Sequence, residues 1–451
     1  MAQKPSLPKG TRDFLPEVTL RRTFIFDTIK TVFQKYGYAP IETPSMENLS
    51  VLTGKYGEEG DRLIFKILNS GDFLRKATEL EDSRKLTPQI AEKALRYDLT
   101  VPFARFVVMN QHALTFPFKR YQIQSVFRAD KPQKGRYREF VQCDADVVGS
   151  DSLLFEAEFL CIYDEALSKL GLDDFTIQIN NRKILEGFAE VVNQSDKFTD
   201  ICVAIDKLDK IGQEKVMAEM EARDIPAAAA QEIFRLITFE GTAEEKLDFL
   251  EKAFANSPAG TLGVQEMREI FETYAAFPRF AGTVDFNLKL ARGLNYYTGA
   301  IYEVKANNVK IGSICGGGRY ADLTGVFGRP GLSGVGISFG ADRIYDVMEE
   351  LDLFGEIPST STKVLVVNFG NEVRLQALAA LNQLRSAGIG AEYYAEAAKM
   401  KKQFGYADKK GIPFTLIIGA DEAASGQYQL KNMKEGSQQA LNMEAIIQHL
   451  S

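Results

Sequence analysis

Between Lys119 and Gly149 apolar and polar side chains alternate on either side of a break. Tyr121, Ile123 and Phe127 alternate with Gln122, Gln124 and Arg128. After the break Val141, Cys143, Ala145 and Val147 alternate with Gln142, Asp144 and Asp146. A period of two is the mark of a strand with one dry and one wet face. The break, Ala129 to Tyr137, holds Pro132, Gly135 and several cations, so the pair is predicted to be an antiparallel hairpin with a basic loop. Outward polar faces are ordinary in antiparallel sheets. This one, however, combines an arginine fork, which can seat a phosphate, with carboxylates suited to a cationic or hydrogen-bonding ligand.

The remaining pattern runs in chain order. Ile25, Ile29, Val32, Phe33 and Tyr36 recur at helical spacing, and Gly37 stands where a helix stops. YGYAPIETPSM then reads as extended, with Pro44 confining it to a sheet edge or strand end. A second hairpin is predicted between Asp61 and Leu74, and a charged loop from Ala77 to Thr87. In ALRYDLTVPFARFV, Asp98 and Thr100 lie two apart and would share a face on a strand; Pro102 suits the first turn of a helix. The plainer reading of that pair is a helix start. A helix over Ser152–Leu170 and a strand over Phe175–Asn180 follow, and 195–278 is helical throughout. Strands return at Thr283–Leu288. In LSGVGISFGADR, Val335, Ile337 and Phe339 face one way, whereas Gly334, Gly336, Ser338 and Gly340 leave the other face flat enough for a stacked purine, and Arg343 falls in the first turn of a helix. After a polar linker, 355–362, strands and helices alternate as a small α/β unit.

With 451 residues and 45% apolar content the chain has material for two to four domains. No apolar run reaches the roughly 18 residues that span a bilayer, and the start lacks a signal peptide's apolar core, so the expectation is a cytoplasmic protein without a membrane. Four scattered cysteines form no CxxC pair, and only His112 and His449 represent histidine. No zinc, no metal from cysteine or histidine clusters and no histidine triad is expected. The net charge of −7 gives no global pull toward nucleic acid; any RNA contact must come from local patches. From Thr362 onward ten Lys and Arg face eight Asp and Glu, with cations concentrated near Phe404 and Tyr406, a composition suited to unstacked bases or to a solvated helix end.

FR followed by a loop containing RYREF, then Gln and Asp on one strand, resembles motif 2 of the class II aminoacyl-tRNA synthetases. LRYDLT, LARGLNYY and GGRY resemble the histidine-specific segments of the histidyl-tRNA synthetase family, and GVGISFGADR resembles class II motif 3. The helix and Pro-bearing strand at the start resemble motif 1. The resemblance implies an α+β fold: an antiparallel catalytic sheet flanked by helices (1–194 and 279–354), a helical insertion (195–278) and a C-terminal α/β anticodon-binding domain (363–451). It implies a ligase that uses ATP and Mg2+ to activate L-histidine and load tRNA(His), working as a homodimer. Arg128 and Arg292 would be catalytic, with Arg128, Arg343 and Gly340 on ATP. Asp98, Thr100, Gln142, Asp146, Arg292, Tyr296, Tyr297 and Tyr320 would enclose histidine, and Lys131, Lys134 and Arg136 would approach the tRNA acceptor end. Asn295 stands where many members of the family carry Asp. The alternative from another class is the catalytically inert regulatory subunit of ATP phosphoribosyltransferase, which typically lacks the arginine signature and the terminal domain.

Overall fold

The helical spacing near the start builds α1, Pro16–Lys35, whose Ile25, Ile29, Val32 and Phe33 are fully buried. Gly37 ends it at a left-handed φ of +81°, and Tyr38 N–H returns to Phe33 O at 3.0 Å, the usual way of satisfying a helix's last carbonyls. A computed structural model describes residues 4–75, 77–291, 296–355 and 357–451. Contacts divide them into two units, one formed by the chain up to Arg12 with Ile25–Leu353, the other by Asp13–Phe24 with Phe354–Ser451.

In the first unit, eight strands form one sheet among the described residues: β1 (Ala39–Pro40), β2 (Phe118–Phe127), β3 (Glu139–Val148), β4 (Phe175–Asn181), β5 (Thr283–Phe286), β6 (Ala300–Ala306), β7 (Cys315–Tyr320) and β8 (Gly334–Gly340). Their spatial order is β1-β2-β3-β8-β7-β6-β4-β5. All neighbours are antiparallel except the short edge pairs β1–β2 and β4–β5. The predicted hairpin is β2–β3, in register from Phe118↔Val148 to Phe127↔Glu139.

Register turns the sequence alternation into rows across the sheet. On the dry face Ile123, Cys143, Phe339, Cys315, Val304 and Ile177 are successive partners. Phe33 of α1 lies 5.7 Å from the Phe339 ring, and Tyr163 of α3 (Leu154–Lys169) lies 5.1 Å from it. Each such fully buried large apolar side chain is worth roughly 1.5–3 kcal/mol, which is what holds the helices to the sheet. On the wet face the corresponding row is Gln122, Asp144, Ser338, Gly316, Glu303 and Gln178.

Three local readings need correction. Lys66–Ile67 pairs with Lys93–Leu95, which also pairs with Met46–Asn48, so the hairpin expected between Asp61 and Leu74 is replaced by a long-range three-stranded sheet. Within the expected charged loop, Ser83 begins a helix, Ser83–Ile90, because Asp82 accepts the Arg84 and Lys85 N–H groups at 2.9 and 3.4 Å. Asp98 and Thr100 are not on a strand: the strand ends at Leu95 and Thr100 opens the helix α2, Thr100–Asn110. Asp98 Oδ1 accepts Val101 N–H at 3.1 Å, so the helix-start reading describes the backbone.

Ser195–Tyr274 is a short 3-10 turn followed by α-helices and groups with the sheet in the first unit. Its last helix, Pro258–Tyr274, lies so close to Arg182–Val191 that a Cβ on Gly187 would meet Gly260 Cα at 2.6 Å. In the second unit a mixed sheet has the order Ala391–Tyr393, Val364–Val366, Phe414–Ile417, Tyr428–Asn432, Gln438–Leu441. The first three strands are parallel and the last two antiparallel. Val364, Val366, Leu384, Leu416, Ile418 and Ile446 fill its core. No described helix is long and apolar enough to cross a membrane.

Candidate active site

The wet face of β3 carries Gln142, Asp144 and Asp146, all buried, and two cavities open over it. The larger, about 360 Å³, is lined by Arg128, Arg136, Arg343, Tyr137, Glu303 and Ser313 over the backbone of Gly316, Gly317 and Gly340, with others. The smaller, about 50 Å³, is lined by Asp98, Thr100, Asp144, Asp146, Tyr296 and Tyr320, among others. Arg128, Gln142, Tyr297, Gly316, Gly317 and Ser338 wall both. A cleft with three arginines beside Asp130, Glu303 and Asp342, and a recess with three aspartates, are therefore adjoining rooms.

Each charge in the cleft is held in place. Arg128 Nε donates to Tyr97 O at 3.1 Å and Nη2 to Gln142 Oε1 at 3.3 Å, with its guanidinium 4.3 Å from the Tyr97 ring centroid. Arg343 is presented by the first turn of α4, Ala341–Glu350. It donates from Nε to Gly135 O at 2.7 Å and from Nη1 to Ser313 O at 2.5 Å. Burial, followed by the neighbouring Arg136 and Arg128, pushes the Arg343 guanidinium below its ordinary pKa. Arginine nonetheless stays protonated, so this clustering creates a field that favours a polyanion. Gly340 supplies backbone to the cleft floor.

The recess has the opposite sign. Asp98 accepts Tyr56 OH at 2.8 Å and Tyr296 OH at 3.2 Å; burial raises its pKa against the pull of those donors. Asp146 Oδ1 accepts Tyr320 OH at 2.8 Å, and its Oδ2 lies 2.5 Å from Arg120 Nη2, an ion contact off the straight line of a hydrogen bond. Burial raises Asp146 as well, with Arg120 opposing. Asp144, beside Gln142 Nε2 at 3.3 Å, is pushed up to about 7, first by burial and then by Asp146, against Arg120. Gly336 makes this packing possible, because a Cβ there would stand 2.0 Å from Asp146 Oδ1.

The sequence-predicted residues Asp98, Thr100, Arg128, Gln142, Asp146, Tyr296, Tyr297, Tyr320, Gly340 and Arg343 are thus brought around two joined cavities. Lys131, Lys134 and Arg136 are exposed on the hairpin loop, where Lys134 pairs with Glu350 and Arg136 Nη1 lies 3.6 Å from Asp130. Arg136 also lines the cleft. Arg292 lies outside the described residues. Sequence reasoning missed Arg120, Asp144, Tyr56, Glu303 and Ser313 as site residues. Alternation marks Asp144, two residues from Gln142 on the same strand, and register marks Arg120 as the partner of Asp146; Tyr56 and Ser313 come from loops with no periodic signal.

An antiparallel sheet whose hairpin and last strand–helix joint each deliver an arginine to one glycine-floored cleft places the fold with the class II aminoacyl-tRNA synthetases. A sequence profile for histidyl-tRNA synthetase matches residues 10–344, and one for the anticodon binding domain matches 363–451. A histidine–tRNA ligase of Christiangramia forsetii is 55% identical over 451 residues, covering 99% of each chain. The crystal structure of a histidyl-tRNA synthetase from a Nostoc species is 34% identical with a TM-score of 0.85, covering 100% of this chain and 99% of that one. A Bacillus halodurans structure described as an ATP phosphoribosyltransferase regulatory subunit/histidyl-tRNA synthetase shares the fold alone, at 20% identity and TM-score 0.74 over 92% of this chain and 99% of that one. The chain belongs to the histidyl-tRNA synthetase family. The full-length match to a histidine–tRNA ligase does not favour the regulatory-subunit alternative, which is set aside.

Proposed function

We infer that the chain activates L-histidine with ATP and passes the histidyl group to the 3′ end of tRNA(His). The observation that carries this division of labour is the common wall between the acidic recess and the arginine-lined cleft. An amino acid in the recess, its ammonium on Asp98 and its ring toward Asp146, Gln142 and Tyr297, would present its carboxylate at the junction. ATP in the cleft would place its α-phosphorus beside Arg128 and its terminal phosphate beside Arg343. A carboxylate oxygen then attacks the α-phosphorus and pyrophosphate leaves; in the second step a terminal ribose hydroxyl of the tRNA attacks the histidyl carbonyl and AMP leaves.

Neither step needs a side-chain nucleophile. The protein's contribution is fixed charge aimed at the phosphates and exclusion of water, which the pinned Arg128 and Arg343 supply, with Arg292 joining them by resemblance. Magnesium, bound with the nucleotide, supplies further charge neutralisation on the polyphosphate. Glu303, buried against Ser313 Oγ and lining the cleft, is an oxygen donor of the hard type that ion takes. Lys131, Lys134 and Arg136 would meet the acceptor end, and the 363–451 unit the anticodon. The homodimer rests on the motif 1 resemblance, and the protein is read as cytoplasmic.

The test is ATP–pyrophosphate exchange with each amino acid in turn, followed by charging of tRNA(His). Exchange with histidine alone is expected. Exchange driven by another amino acid, or by none, would refute the reading.

A further inference from the structure

The opening segment Leu7-Pro-Lys-Gly-Thr-Arg12 has no part in the chemistry above, yet it is fastened to elements that wall the larger cleft. Arg138 N–H donates to Gly10 O at 2.9 Å and Arg138 Nη1 to Lys9 O at 3.3 Å. Gly10 has φ +88°, and a Cβ there would stand 2.8 Å from Pro132 Cγ and 2.9 Å from Arg138 Cγ. Two residues on, the Arg12 guanidinium lies 3.3 Å from the Tyr137 ring centroid and pairs with Asp342 Oδ1. The same Asp342, 2% exposed, accepts Val141 N–H on Oδ2 at 2.8 Å. Tyr137 OH in turn donates to Asp346 at 2.8 Å. One arginine thus joins the hairpin loop, the start of β3 and the first turn of α4, which carries Arg343.

We propose that the arm Pro8–Arg12 positions the nucleotide half of the site, with Arg12 as its positioning residue, by holding the 129–138 loop against α4. Geometry assigns the effect to one substrate. Asp130, Gly135, Arg136, Tyr137 and Asp342 line the larger cleft and none of them lines the acidic recess. Loosening the arm therefore displaces groups around ATP and leaves the histidine pocket intact. The inference rests on reading the cleft as the ATP site.

The experiment is exchange kinetics on the full-length protein with ATP and histidine varied separately, for Arg12→Ala, Arg12→Lys, Gly10→Ala and, as a control, Arg128→Ala. Misplacing a positioned group by about 1 Å can cost ~10²-fold, so Arg12→Ala is expected to raise KM for ATP or lower kcat/KM for ATP by about 10–10²-fold. KM for histidine should stay within about twofold, the scale of no resolved effect. Arg12→Lys, which keeps the charge but not the stacked fork, should recover part of the loss. Gly10→Ala should reproduce the ATP-specific defect with Arg12 intact. Equal effects on both substrates, or a normal kcat/KM for ATP in both arm variants while Arg128→Ala collapses, would overturn the inference alone. Near-normal exchange by Arg128→Ala would overturn the ATP reading of the cleft and the inference with it.

Discussion

Asp144 makes a quantitative test of the electrostatics in the recess. It is fully buried on β3 between Gln122 of β2 and Ser338 of β8, with Arg120, Asp146, Asp98 and Gln142 as its polar surroundings. Burial outweighs Arg120 and lifts its carboxyl from the ordinary 3.8 to about 7. An acid raised in the folded state binds its proton more tightly there than in the unfolded chain. The stability this contributes is complete below about pH 4 and is lost as pH rises through about 7. At about 1.4 kcal/mol per pH unit, the part lost above pH 5 is on the order of 3 kcal/mol. Asp144→Asn keeps the shape and cannot ionise, so the difference in unfolding free energy between variant and parent should move by roughly 2–3 kcal/mol in the variant's favour between pH ~5 and pH ~8. Urea unfolding of the ligand-free protein at the two pH values measures it, and the subtraction cancels the other titrating groups. A difference that is the same at both pH values would mean that Asp144 is already ionised in the folded chain and that Arg120, not burial, dominates.

Three other outcomes are expected. Arg128→Ala should fold normally and lower the exchange rate by about 10²–10³-fold, the usual loss for one preorganised charge contact; rates within a factor of a few of the parent would remove Arg128 from the α-phosphate. Gly336→Ala, whose methyl would collide with Asp146, should raise KM for histidine by about 10–10²-fold and leave KM for ATP unchanged, on the same displacement argument; exchange kinetics with each substrate varied decide it. Arg319→Met strands Glu156, which is 0% exposed and held by Arg319 Nε and Nη2, and should cost about 3–5 kcal/mol in urea unfolding. Adding Glu156→Gln should restore much of that; failure to do so would show that packing rather than the stranded charge is responsible.

What was legible in the sequence follows the range of the interactions involved. The β2–β3 hairpin and the glycine-faced β8 were readable because period-two patterning and one local turn specify them. α1 was readable because four apolar positions and a terminal glycine agree. Lys66–Ile67 was misread because its partner, Lys93–Leu95, lies across a long excursion that leaves no local trace. Asp98 stayed open between a strand and a helix start because a spacing of two fits either, and only the Val101 N–H contact distinguishes them. The N-terminal arm carried Pro and Gly punctuation but nothing that reveals Arg138 and Asp342 as its partners. Arg120 looked like one more polar residue on a wet face, since alternation reports which way a side chain points and not what it meets there.

Arg120 changes the reading of Asp146. Taken from sequence alone, Asp146 is a free carboxylate awaiting a ring N–H. In the folded chain one of its oxygens receives Tyr320 OH and the other abuts Arg120, while Arg120 is itself stacked 4.4 Å from the Phe103 ring centroid. Three carboxylates, Asp98, Asp144 and Asp146, line the recess, with Arg128 on its wall and Arg120 buried against Asp146. Removing water from three ionised carboxylates would be prohibitive; burial raises the pKa of all three, Arg120 opposes that rise at Asp146, and Asp144 holds its proton up to about pH 7. A ligand entering the recess therefore meets Asp146 held between Tyr320 and Arg120, one carboxyl near its titration point in Asp144, and Asp98 braced by two tyrosines. On the proposed function, the ammonium of histidine would meet Asp98 and its ring would meet Asp146, each a carboxylate whose protein partners are already in place.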